Sequence, residues 1–149
     1  MEEIMNDLGY QKSLEDVLNH KMLIRDLIFS DPIYMTMVFC ELLVDSLRPV
    51  GQAEVEYEGS TSILHVKGPF NIIDIDYAMC RALAIAVRTG SNEKGIFMDI
   101  LIHQLITTTG EDTCTCMNLL LNYIKNPILF NGFFKVLTIV PGEFQIHLV

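Results

Sequence analysis

Within Gln52 to Gly68, which reads as a hairpin, Ala53 to Glu58 alternates strictly, with Ala53, Val55 and Tyr57 apolar and Glu54, Glu56 and Glu58 acidic. A helix cannot gather a period of two onto one face, whereas a strand does so automatically. The segment therefore predicts a half-buried strand, and Gly59-Ser60 predicts a two-residue hairpin turn with glycine first. Pairing outward sets Tyr57 opposite Ser62, Val55 opposite Leu64 and Ala53 opposite Val66 on an apolar face. The other face pairs Glu56 with Ile63, Glu54 with His65 and Gln52 with Lys67.

Phe134 to Val149 predicts a second hairpin, turning at Pro141-Gly142. Ile139 opposite Phe144 and Leu137 opposite Ile146 make its apolar face. Thr138 with Gln145 and Val136 with His147 make the other. In each hairpin the fourth residue of the second strand is a histidine, His65 or His147.

Helical signals fill the remainder. Ser13 reads as an N-cap, with Asp16 as a weaker capping box, for a helix running to about Phe29. Asp31 then caps a helix with Pro32 at its first position. That second helix, Pro32 to about Leu47, is apolar almost all round, which predicts a central element or a subunit interface. A long helix spans about Phe70 to Thr89, with Ala78, Ala82 and Ala86 four apart. Its polar stripe is Asp74, Tyr77, Arg81 and Arg88. Helices over Ile96–Ile106 and Asp112 to about Lys125 follow, the latter closed by Asn126-Pro127. The expected fold is a single α+β domain of order α-α-β-β, α, α-α-β-β, with an approximate internal twofold. The helix–hairpin halves cover about 13–68 and 95–149, and the bridging helix about 70–89.

A chain of 149 residues fits one domain. It is 50% hydrophobic and 19% charged, enough apolar material for a real core. The mean hydropathy of +0.35 raises the question of a membrane span. The best stretch, Thr113 to Phe134, is interrupted by Asn118, Asn122, Lys125, Asn126, Pro127 and Asn131, so none is expected. Net charge is −9 and basic residues occur singly, which disfavours nucleic acid and anionic membrane surfaces. Met1 to Gly68 carries twelve acidic and five basic side chains, against seven and five from Pro69 onward. The acidic N-terminus has no basic-then-apolar signal pattern, so a cytoplasmic location and reduced cysteines are expected.

Chemistry-bearing motifs are sparse. Cys114-Thr-Cys116 has the wrong spacing for zinc or iron, and on a helix its side chains point roughly 200° apart. If Asp112 caps that helix, Cys116 falls near the end where a thiolate is stabilised. His65 and His147, with Cys114 and Cys116, are the only metal candidates, and Glu54, Glu56 and Glu58 beside His65 read first as a solvated sheet face. Asp74 and Asp76 oppose a helix dipole. No phosphate loop, dinucleotide fingerprint or nucleophile motif occurs. Three readings follow. One is a non-enzymatic interaction or regulatory module, homo-oligomeric or bound to a protein partner, with no cofactor. Another is a sensor or carrier of a small apolar ligand, in a pocket between helices and sheet lined by Tyr34, Phe39, Tyr77, Phe97 and Tyr123. The third is a metal-dependent enzyme using His65, His147 or Cys114 and Cys116.

Overall fold

The computed structural model describes residues 21–89 and 96–148, which form an α+β fold of helices and a four-stranded antiparallel sheet. Helix α1 is Lys21–Ile28, and α2 runs from Pro32 to Leu47 at 71° to it. Strands β1 (Glu54–Glu58) and β2 (Ile63–Lys67) follow. Next come α3 (Ile72–Thr89), α4 (Ile96–Thr109), α5 (Thr113–Lys125) and a 3-10 helix, Pro127–Phe133. Strands β3 (Lys135–Val140) and β4 (Glu143–His147) complete the sheet, whose order is β1-β2-β4-β3. The expected Ser13 cap and the first turns of its helix lie outside the described residues.

Capping agrees with the sequence at two places and departs from it at a third. The Asp31 side chain accepts from the Tyr34 N–H (3.1 Å), with Pro32 beginning α2. The Asp112 side chain accepts from the Thr115 N–H (2.7 Å) to open α5. Helix α3 starts two residues later than expected, because Asn71 and Asp74 exchange side-chain-to-backbone hydrogen bonds of 2.9 and 3.0 Å. That reciprocal box satisfies two of the unpaired donors at the helix start.

The central helix is α3. Ile75, Ala78, Met79, Cys80, Ala82, Leu83, Ala84, Ala86 and Val87 are all buried along it. It touches α2, α4, α5, the 3-10 helix and β3. The alanines let these neighbours approach closely. Helix α2 is therefore half-surface: Met35, Phe39, Leu43 and Leu47 are buried, whereas Ile33 and Met37 face solvent. Within it, the Cys40 N–H reaches back five residues to the Met35 carbonyl, a single wide turn in an otherwise α-helical run.

Both hairpins form, and both differ in register from the expected pairing. The first loop has four residues, 59–62, because the Thr61 N–H and hydroxyl both bond to the Glu58 carbonyl at 3.2 Å. Ser62 closes it with φ of 54°. Val55 thus faces Val66, Tyr57 faces Leu64 and Glu56 faces His65. The shift is two residues, so every side chain keeps its face. The second turn does use Pro141-Gly142, with Gly142 at φ 83°. Proline then left-handed glycine is a type II turn, whose twist does not match a hairpin. A bulge between Thr138 and Val140 absorbs the mismatch. As a result Val136 and Thr138, instead of Leu137 and Ile139, stand opposite Ile146 and Phe144.

The hairpins meet through their inner strands, with Leu64 opposite Ile146 and His65 opposite Gln145. The Gly68 N–H donates to the Gly142 carbonyl (2.9 Å), tying the end of β2 to the far turn. Leu64, Val66, Phe144 and Ile146 are buried against the helices. The opposite face carries Glu54, Glu56, Glu58, His65, Lys67, Glu143, Gln145 and His147.

Candidate functional site: a cleft beside the central helix

Ile73, Tyr77 and Arg81 recur every fourth residue on α3, so they form one stripe along its outer face. A second wall rises where α5 stops at Lys125 and Asn126-Pro127 starts the 3-10 helix. Three rings hold that wall against the core: Tyr123, Phe130 and Phe133 pack with centroids 5.1 to 5.2 Å apart, and Phe130 meets Phe133 edge-on at 88°. With Phe130 and Phe133 turned inward, Ile128 turns out. The two walls enclose a cleft of about 590 Å³, lined by Ile73, Asp76, Tyr77, Cys80, Arg81, Lys125, Asn126, Pro127 and Ile128.

The rim is apolar and exposed. Ile73 is 73% exposed, Tyr77 67% and Ile128 63%, so these side chains project beside the cleft more than they close it. Each wall also supplies a cation, Arg81 from α3 and Lys125 from the end of α5. Among the described residues neither has a carboxylate partner, and the same is true of Lys21, Arg88 and Lys135, whereas Arg25 pairs with Asp26 (3.0 Å), Arg48 with Asp45 (2.6 Å) and Lys67 with Glu143 (3.9 Å). Deeper in, burial raises the Asp76 carboxyl above its ordinary value. The Cys80 thiol is pushed up to about 12, first by burial and then by Asp76. Cys80 is thus a neutral floor residue and no nucleophile.

The aromatic residues picked out from the sequence do not share a pocket. Phe39 and Tyr123 are fully buried in the core. Tyr34 is half-buried and donates its hydroxyl to the Ala86 carbonyl (3.0 Å), linking α2 to α3. Of the four whose side chains are described, Tyr77 alone lines the cleft; the Phe97 side chain lies outside the described residues. The sequence marks Arg81 and Lys125 only as polar or terminal residues, and the 3-10 helix after Asn126-Pro127 has no counterpart among the expected elements. The available signal is the apolar run Ile128-Leu129-Phe130 following a helix stop.

The thiols of α5 diverge as the helical spacing predicts, Cys114 exposed and Cys116 buried. Asp112 does cap the helix, yet the Cys116 thiol is raised, because burial outweighs the hydrogen bond from Thr109. The expected stabilised thiolate is therefore absent. His65 and His147 share the open face of the sheet, diagonally placed across the β2–β4 ladder. His65 Nε2 lies 3.3 Å from Glu58 Oε1 without hydrogen-bond alignment, and His147 Nε2 lies 3.2 Å from Gln145 Oε1. Among the described residues no three His, Cys, Asp or Glu side chains gather as a metal site requires. A second hollow of about 390 Å³ is lined by Val44, Arg48, Gly51, Gln52 and Ala53.

No single described helix is long and apolar enough to cross a membrane. No protein-family model, curated protein or solved structure matches the chain.

Proposed function

We propose that the protein is an interaction module that works through contact with another protein, and that its partner docks at the cleft beside α3. The observation that supports this most is the rim itself. Ile73, Tyr77 and Ile128 project into solvent around a concave surface that also offers Arg81. Tyrosine and arginine beside aliphatic groups are the side chains that concentrate binding energy at protein interfaces. A photo-crosslinking residue at position 77 tests this in the cells that make the protein. Discrete protein adducts are expected there and not at Glu56 on the open sheet face; equal labelling at both positions would defeat the reading.

The cleft volume also falls within the range of small-molecule sites, roughly 300–1,000 Å³. Carriage of a small ligand is the second reading. It predicts a stoichiometric low-mass adduct in native mass spectrometry of the purified chain.

The two halves fit an approximate internal twofold through the Leu64/Ile146 pair, an operation that exchanges His65 with His147. Support comes from the antiparallel meeting of β2 and β4. The unequal loops, four residues in one hairpin and a bulged two-residue turn in the other, limit how closely the halves could superpose.

A further inference from the structure

We infer that the cleft beside α3 takes an acidic, amphipathic segment of a partner protein, its apolar side chains on Ile73, Tyr77 and Ile128 and its carboxylates between Arg81 and Lys125. The inference rests on the docking reading above and adds the chemistry of the partner. Three observations carry it.

The first is charge. The chain has nineteen acidic and ten basic residues, so its surroundings repel anions in general. Arg25, Arg48 and Lys67 are each answered by a carboxylate within 4.0 Å. The cleft holds two cations, one on each wall, that, like Lys21, Arg88 and Lys135, are not so answered among the described residues, and Asp76 is the one acid among its described lining residues. Its local sign is opposite to that of the whole protein. With two cations against one carboxylate, this lining favours an acidic partner over a basic one.

The second is shape. A small ligand gains most when 70–90% of its surface is enclosed, as a general rule for such sites. Here the apolar side chains of the rim are mostly exposed. They offer a ridge to a surface larger than a small molecule. Ile73, Tyr77 and Arg81 span about 12 Å along α3, two turns of helix. A partner helix laid along this stripe would place apolar and acidic residues one turn apart, the pattern of helix-in-groove recognition.

The third concerns a second copy of this chain. A closed twofold dimer through the cleft would set the patch against itself. It would bring four cations and two copies of Asp76 together, a net repulsion. A partner of opposite sign has no such penalty.

The test is a phage-displayed library of random peptides, each about four helical turns long, panned against the full chain. Two variants are panned in parallel, Tyr77→Ala and the double reversal Arg81→Glu/Lys125→Glu. Circular dichroism melts check that both keep the fold. The unmodified chain is expected to enrich peptides combining helically spaced apolar residues with Asp or Glu. The double reversal is expected to lose them by at least about tenfold in affinity and to enrich Lys or Arg instead. Tyr77→Ala is expected to weaken the selected peptides similarly without altering their charge preference. Neutral or basic enrichment by the unmodified chain, or identical enrichment before and after charge reversal, overturns the inference. If Tyr77→Ala still weakens binding in that case, docking at the cleft survives and only the acidic partner is lost. If neither variant changes what is selected, the docking reading falls as well. A twofold dimer in light scattering that Tyr77→Ala dissolves would put a second copy in the cleft and also overturn the inference.

Discussion

Cys40, Cys80 and Tyr123 each sit where their charged form is disfavoured. Burial pushes the Cys40 thiol to about 11, Cys80 to about 12 and the Tyr123 phenol to about 12. Tyr34 is raised as well, by burial and by Asp31. In the unfolded chain the cysteines ionise near 9.0 and the tyrosines near 10.0. Above those values the unfolded state has lost protons that the folded state keeps, so stability must fall as pH rises. The contribution is complete below about pH 9 and is lost progressively toward pH 12. Urea unfolding across this window is expected to show that decline, and Cys80→Ala is expected to flatten part of it. A pH-independent midpoint through the window would mean these groups are solvated. The buried character of Cys40 and Cys80 was legible in the sequence, since both fall within apolar helical runs. The state of Cys116 was not. Its distance from the helix end suggested a stabilised thiolate, and only packing reveals that its side chain is enclosed.

Among the elements, the strands were legible as strands because alternation survives any loop, while their register depends on a few turn atoms. A loop longer by two residues left every face of the first hairpin intact. One bulged residue in β3 reversed which of its side chains meet Phe144 and Ile146. Nothing in Leu137-Thr138-Ile139 announces a bulge; the cause lies in the turn that follows. Gly142 is the residue on which that turn depends. It adopts φ of 83°, and a Cβ there would lie 3.2 Å from the Gly68 carbonyl oxygen. Gly142→Ala is therefore expected to cost about 1–2 kcal/mol from the left-handed backbone alone. The measurement is a urea midpoint shift at unchanged m-value. At the start of α3, Asn71→Ala removes one arm of the capping box and is expected to cost about 1 kcal/mol. Both caps and turn residues are local, which is why Asp31 and Asp112 were found from sequence. The choice of α3 as the central helix is not local. The all-round apolar character of α2 pointed to it instead, yet the small side chains of Ala78, Ala82 and Ala86 are what admit neighbours on several sides.

At the scale of the molecule, the cleft joins two parts that mutation can separate, a rim that contacts solvent and a wall that is part of the core. Tyr77 belongs to the rim. It is 67% exposed, and its truncation leaves no cavity. Tyr77→Ala should shift unfolding free energy by no more than about 0.5 kcal/mol, as surface changes generally do. Phe130 belongs to the wall. It is fully buried and touches both Tyr123 and Phe133. Removing its ring leaves a void that the remaining two rings cannot fill without moving, and Phe130→Ala should cost about 3–5 kcal/mol. The same ring fixes how the 3-10 helix sits against α3, and so how far Ile128 stands from Tyr77. Phe130→Leu, which keeps most of the volume, is therefore the informative variant. It should retain a cooperative unfolding transition while loosening the wall, and so weaken docking at a modest loss of stability. Tyr77→Ala should weaken docking at none. Were Phe130→Leu to bind as the parent chain does while Tyr77→Ala did not, the α3 stripe alone would be the docking surface. The cleft would then be incidental to it.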